Sequence, residues 1–135
     1  LTYLLDTNAC IQYLNRRSTQ IETQLLARKP SDVNVCSITK AELYNGAIRS
    51  RNPQRALTLV NRFLGQFQSL PFDDRAAEVY GRIRSRLEEQ GRLIGPLDML
   101  IAAIAIANGS TLVTHNSREF SRVEGLAWED WGAGP

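Results

Sequence analysis

Four acidic residues stand where a carboxylate could do chemistry. Asp6 ends the apolar run Tyr3-Leu4-Leu5, and Glu42 follows the apolar stretch Val33–Cys36. Asp98 opens the apolar segment Met99-Leu100-Ile101, and Glu119 follows Leu112-Val113-Thr114. Each is the first acid after an apolar strand or at the start of a buried helix. Two carboxylates ~5 Å apart at an effective dielectric of ~20 repel by about 3 kcal/mol, so four at one edge need a counter-charge. His115 is the only histidine, and Cys10 and Cys36 lie in separate segments. A zinc site of the Cys/His type is therefore excluded. The matching cation is hard and oxygen-seeking, Mg²⁺ with Mn²⁺ as a substitute. Carboxylates around such ions suit hydrolysis of a phosphodiester.

Each acid also has a structural reading. Asp6, with Thr7 and Asn8 after it, could simply serve a helix start. Thr39-x-x-Glu42 spells a capping box, and on spacing alone that reading of Glu42 is favoured. Asp98 would suit the positive end of its helix. No lysine or arginine lies within a turn of it, however, and a charge entering a buried helix needs a partner. Glu119 reads as a loop acid beside Arg118, and Asn116 as a substrate-orienting or turn residue. His115 is read as structural rather than catalytic.

The elements that must position these residues alternate strand and helix. Strands are expected at about 2–5, 33–36, 69–72, 111–114 and 126–128. Helices are expected at about 8–14, 19–28 (with Ile21, Leu25 and Leu26 on one face), 40–48, from Asn52-Pro53 to about 64, from about 76 until Gly91, and from Gly95-Pro96 to Asn108. The last is apolar nearly all round and should be buried. The alternation predicts a three-layer α/β/α domain with a small parallel sheet. Right-handed crossovers would bring the strand ends, and with them the acids, to one edge.

With 135 residues, 43% hydrophobic and 22% charged, the chain reads as one domain, residues 1–135, with an ordinary soluble composition. No apolar run is long enough to span a membrane, and no secretory segment opens the chain. Scarce cysteine predicts a cytoplasmic setting without disulfides. The net charge of +2 excludes a strong global basic field. Lys29 and Lys40 are the lysines among 16 basic residues; the rest are arginines, which suits phosphate recognition but is equally a mark of a GC-rich genome. Tyr44, Tyr80, Trp128 and Trp131 read as core or interface residues.

In series, LLDTN, SITKAELYNGA, RLIGPLDMLIAAIA and LVTHNSREFSRVEGLAWEDW resemble the VapC-type toxins of the PIN-domain family, over nearly the whole chain. The resemblance implies a metal-dependent endoribonuclease, a toxin inhibited by a cognate VapB-type antitoxin, and a homodimer. It matches Asp6, Glu42 and Asp98 to three of the family's acids and Glu119 to a fourth, the least constant, often an aspartate. Thr7 and Asn116 match polar positions that line the family's site. GPLD and THNSREF resemble members that cut transfer RNA, the initiator tRNA in particular. Two other readings compete. A phospho-aspartate enzyme of the haloacid dehalogenase type needs a second acid where Asn8 stands. A catalytically silent PIN-like module that binds RNA or protein predicts a decayed acid set.

Overall fold

The computed structural model describes residues 1–16 and 19–132. The chain runs β1 (Tyr3–Leu5), α1 (Thr7–Leu14), α2 (Thr19–Leu26), a 3-10 turn at Pro30–Asp32, β2 (Val33–Cys36), α3 (Ser37–Ile48), α4 (Pro53–Leu64), β3 (Gln68–Leu70), α5 (Asp74–Glu89), α6 (Pro96–Ala107), β4 (Thr111–Val113), α7 (Ser117–Phe120) and β5 (Trp128–Glu129). The five strands form one parallel sheet in the order β3-β2-β1-β4-β5. Its central strands are buried on both faces, which is why they read as unbroken apolar runs.

Alternation along β1 divides the core. Leu4 packs with Cys36, Leu112 and the apolar side chains of α5 and α6. Tyr3 and Leu5 face the other way, with Val33, Val35, Val113 and residues of α1 and α4. The α/β/α expectation holds. Helix α6 is as buried as its composition requires: Ile101, Ala102, Ala103, Ile104 and Ala105 are inaccessible to solvent. Truncating Ile101 to alanine there would cost about 2–5 kcal/mol, since the vacated space cannot fill completely.

The sheet order sets the position of the site. From β1 the chain steps outward to β2 and β3, then returns to the other side of β1 for β4 and β5. The switch point lies between β1 and β4, and the crevice at the carboxyl ends of these strands is where open α/β sheets bind ligands.

Several boundaries differ from expectation. Helix α3 starts at Ser37, not near Lys40, and α2 ends at Leu26, which points into solvent instead of joining the apolar face. β3 lies at Gln68–Leu70 and β5 at Trp128–Glu129, each displaced by one or two residues. Helix starts were read better where a side chain makes them. Asn52 accepts from the Arg55 N–H at 3.2 Å ahead of Pro53, and Asp73 accepts from the Ala76 N–H at 2.9 Å. Cys10 and Cys36 are buried free thiols. Trp131 is buried against Tyr3, whereas Trp128 is partly exposed. Among the described residues no helix is long and apolar enough to cross a membrane.

Candidate active site at the carboxyl edge of the sheet

Asp6 leaves β1 and becomes the N-cap of α1, accepting from the Ala9 N–H at 2.8 Å. The capping reading of this residue therefore holds, without excluding the other. One carboxylate oxygen starts the helix, and the side chain also lines the cleft at the sheet edge. Asp6 is only 3% exposed. Burial raises its pKa to about 6, with further upward pressure from the Glu42 and Asp130 charges, against hydrogen bonds from Thr114 and Ala9.

Glu42 sits in α3, and the capping-box reading is overturned. The N-cap is Cys36, so Thr39 falls inside the first turn, fully buried, with its hydroxyl engaged by Thr7 at 3.2 Å and by the Cys36 thiol at 3.6 Å. Glu42 is oriented from another element altogether: the Thr7 hydroxyl donates to its Oε1 at 2.7 Å. Thr7 thus ties the start of α1 to α3 and fixes a carboxylate one helix away.

Asp98 occupies the first turn of α6. Its pKa is also raised to about 6, by burial first and then by the Glu119, Asp6 and Glu42 charges. Glu119 lies in a short helix, α7, and not in a loop. Among the described residues its side-chain hydrogen bond comes from the Asn116 amide at 3.2 Å, not from Arg118. Asn116 is held in turn, its backbone N–H donating to the Thr114 hydroxyl at 2.9 Å.

Asp6, Thr7, Asn8, Ile11, Glu42, Asp98, His115 and Asn116 line one open cleft of about 420 Å³. No lysine or arginine is among them. Glu119 stands outside this lining yet close enough to press on Asp98. The structure thus gathers all six residues expected from the sequence at a single edge. Among the described residues, no three acids, histidines or cysteines already stand in an arrangement that grips a metal ion. The donor set nevertheless fits a hard cation: the acids are carboxylate oxygen donors, and two carry pKa values raised first by burial and then by neighbouring carboxylates, with no lysine or arginine among the described lining residues.

Sequence reasoning missed Asp130. His115, read as structural, is an exposed residue. It lines the cleft, with its Nδ1 2.8 Å from Asp130 Oδ2. Asp130 directly follows β5, as Asp6 follows β1, but with the strand expected at about 126–128 the acid next to its end was Glu129.

A family profile described as PIN domain matches residues 3–126. The chain is 37% identical over 131 residues to the tRNA(fMet)-specific endonuclease VapC of Shigella flexneri, covering 97% of this chain and 98% of that protein. It is 40% identical to ribonuclease VapC2 of Haemophilus influenzae, with the same coverage. Its fold is similar to that of the toxin-length chain in the DNA-bound VapBC crystal structure from Salmonella typhimurium, with a TM-score of 0.92, 37% identity, and coverage of 97% and 98% of the two chains.

Proposed function

The chain belongs to the PIN-domain family and, within it, to the VapC ribonucleases; from that premise we propose that it is an endoribonuclease toxin whose single domain, residues 1–135, hydrolyses RNA phosphodiesters with Asp6, Glu42, Asp98 and Glu119. The observation that carries this reading is the convergence of Asp6, Glu42 and Asp98 on one cleft at the sheet edge, with Glu119 beside Asp98 and no lysine or arginine among the described lining residues.

Asp6, Asp98 and Glu42 would hold a divalent cation, Mg²⁺ with Mn²⁺ as substitute, and Glu119 would support it from behind Asp98. When bound, such an ion supplies Lewis-acid stabilisation of charge on the phosphate and eases ionisation of an attacking water. The protein's own part is orientation. The Ala9 N–H holds Asp6, the Thr7 hydroxyl holds Glu42, and the Asn116 amide holds Glu119. Carboxylates fixed in this way pay little ordering entropy when substrate and ion arrive. With no cation, the raised pKa values of Asp6 and Asp98 mean that protons partly neutralise the cluster near pH 6.

The relatives extend the proposal. A VapB-type antitoxin is the expected partner, because the similar solved chains come from VapBC complexes. Transfer RNA, the initiator in particular, is the expected substrate, because a relative 37% identical carries that specificity in its name. A homodimer acting in the cytoplasm completes the reading. A catalytically silent module is disfavoured, since the acid set is intact and converges.

The test is direct. Purified protein incubated with initiator tRNA and with total RNA should cut in Mg²⁺ or Mn²⁺ and stop in EDTA. Cutting that persists in EDTA would overturn the metal assignment. Absence of cutting on any RNA, in protein freed of antitoxin, would overturn the nuclease.

A further inference from the structure

The acidic cleft is lined by one imidazole, paired with an acid from outside the lining. His115 lines it with 56% of its side chain exposed, while its partner Asp130 is 18% exposed. The two meet because β4 and β5 pair in register, Val113 opposite Glu129, so the residues just beyond each strand end stand together. Asp130 is itself fixed, its Oδ1 accepting from the Gly132 N–H at 2.9 Å while Oδ2 faces His115 Nδ1 at 2.8 Å. A carboxylate only accepts, so Nδ1 carries the proton. In the neutral ring the remaining nitrogen, Nε2, then presents a lone pair.

Several other polar groups of the cleft are engaged with one another. Thr7 donates to Glu42, Asn116 donates to Glu119, and the acids face one another. With Nδ1 committed to Asp130, the neutral ring offers Nε2 as an acceptor, on an exposed side chain beside the place where a phosphodiester would lie. Hydrolysis by water does not use the ribose 2′-hydroxyl, so the chemistry alone does not separate RNA from DNA. A protein contact has to make that choice, and the 2′-hydroxyl is the group that distinguishes the two.

We propose that His115, oriented by Asp130, accepts a hydrogen bond from a ribose 2′-hydroxyl of the bound strand and makes this site prefer RNA. The inference rests on the nuclease reading above and assigns the source of its substrate class. His115 contacts substrate, and Asp130 is a positioning residue.

The experiment uses the RNA hairpin that the wild-type protein cuts, with single 2′-deoxy substitutions walked across the cut site, and reads kcat/KM. In wild type, one position should lower kcat/KM about tenfold when its 2′-hydroxyl is removed, the effect of one hydrogen bond. His115→Ala should lower the all-RNA rate by a similar factor and abolish the deoxy effect at that position. His115→Gln, which keeps an acceptor, should retain part of it. Asp130→Ala should weaken the deoxy effect, and Asp130→Asn, whose amide oxygen still accepts, should preserve it. These residues are partly exposed, and circular dichroism verifies that each variant is folded. An unchanged deoxy effect in His115→Ala overturns the inference. So does equal loss on RNA and deoxy substrates with a reduced salt dependence, the signature of a phosphate contact. So does a wild type indifferent to every deoxy position. Those three outcomes leave the nuclease standing, whereas a wild type that cuts no RNA removes both.

Discussion

The cleft and the surface of α5 hold charge in opposite ways. Along α5, charges come in pairs: Arg82 with Glu78 at 3.3 Å, Arg84 with Glu88 at 3.7 Å, and Arg86 with Glu124 at 2.6 Å, all well exposed. At the sheet edge, Asp6 is buried and Asp98 half-buried, their neighbours are further carboxylates, and among the described residues no arginine or lysine lines the space. A fold optimised for stability alone would not bury like charges together. The paired region is solvated surface, and the unpaired region is held ready for a cation and a phosphate that the chain does not itself provide.

The largest effect should come from removing charge at the unpaired edge. Asp98→Asn and Asp6→Asn keep shape and much of the hydrogen bonding, and each should lower the cleavage rate by about 10²–10³-fold or more, on the scale of losing one preorganised electrostatic group. Expressed without antitoxin, the wild type should arrest growth and either variant should not. Stability should move the other way. In EDTA at pH 7 the same variants should melt at or above the wild-type temperature, because a repulsive charge has gone. Variants that lose stability and activity together would make these acids structural and erase the contrast with α5.

Next is pH. Asp6 and Asp98 have folded pKa values of about 6 against an ordinary 3.8. Between those values the folded state binds more protons than the unfolded one, so metal-free stability falls as pH rises from about 4 to 6 and then levels. For Asp6 the loss is about 3 kcal/mol, and it is less for the more exposed Asp98. The two do not add, since each carboxylate influences the other. Mn²⁺ at ~100 times its dissociation constant should restore about 2.7 kcal/mol at pH 7. Denaturant melts at several pH values, with EDTA or Mn²⁺, check this. A metal-free protein as stable at pH 7 as at pH 4.5 would mean that the cluster is relieved by a group not recognised here.

What was legible in the sequence follows from how local each signal is. Asp6 after Tyr3-Leu4-Leu5 and Asp98 at the opening of an apolar helix are patterns within a single turn, and both acids fall where those patterns put them. The orientation of Glu42 depends on Thr7, 35 residues away in sequence, so spacing offered a capping box in its place. Glu119 looked like a loop acid because a helix as short as Ser117–Phe120 has too few residues to show a period. The His115–Asp130 pair depends on β5 lying beside β4, and strand order is not written in any single segment. The layers and the acid edge could be read from alternation; the restraints on each acid could not, because they are made between elements.

Those restraints predict a smaller, graded effect. Thr7→Val is close to isosteric but cannot donate to Glu42, whereas Thr7→Ser can. Losing one hydrogen bond to a charged group is worth about 1.5–3 kcal/mol when the acceptor is left unsatisfied. Glu42 borders an open cleft where water can replace the lost donor, so about a tenfold drop in cleavage rate is expected at the low end of that range. Thr7→Ser should recover most of it. If Thr7→Val matches Glu42→Gln in severity, Thr7 also touches the substrate.

The smallest effect should come from the paired region and serves as the control for the rest. Arg86 and Glu124 make the shortest ion pair of the described residues, yet their side chains are 60% and 69% exposed. Water and salt screen such a pair, and holding two long side chains in one geometry costs entropy, so it contributes about 0–1 kcal/mol. Glu124→Gln should therefore shift stability by less than about 1 kcal/mol, lose that shift at high salt, and leave cleavage unchanged. The logic differs from that of Asp98→Asn in each respect: the charge removed is satisfied, exposed and outside the lining of the acidic cleft. Chemical denaturation at low and high salt, with the hairpin assay alongside, measures both halves. A large loss of cleavage in Glu124→Gln would show that the α5 face contributes to gripping RNA, and pairing would no longer separate passive surface from working site.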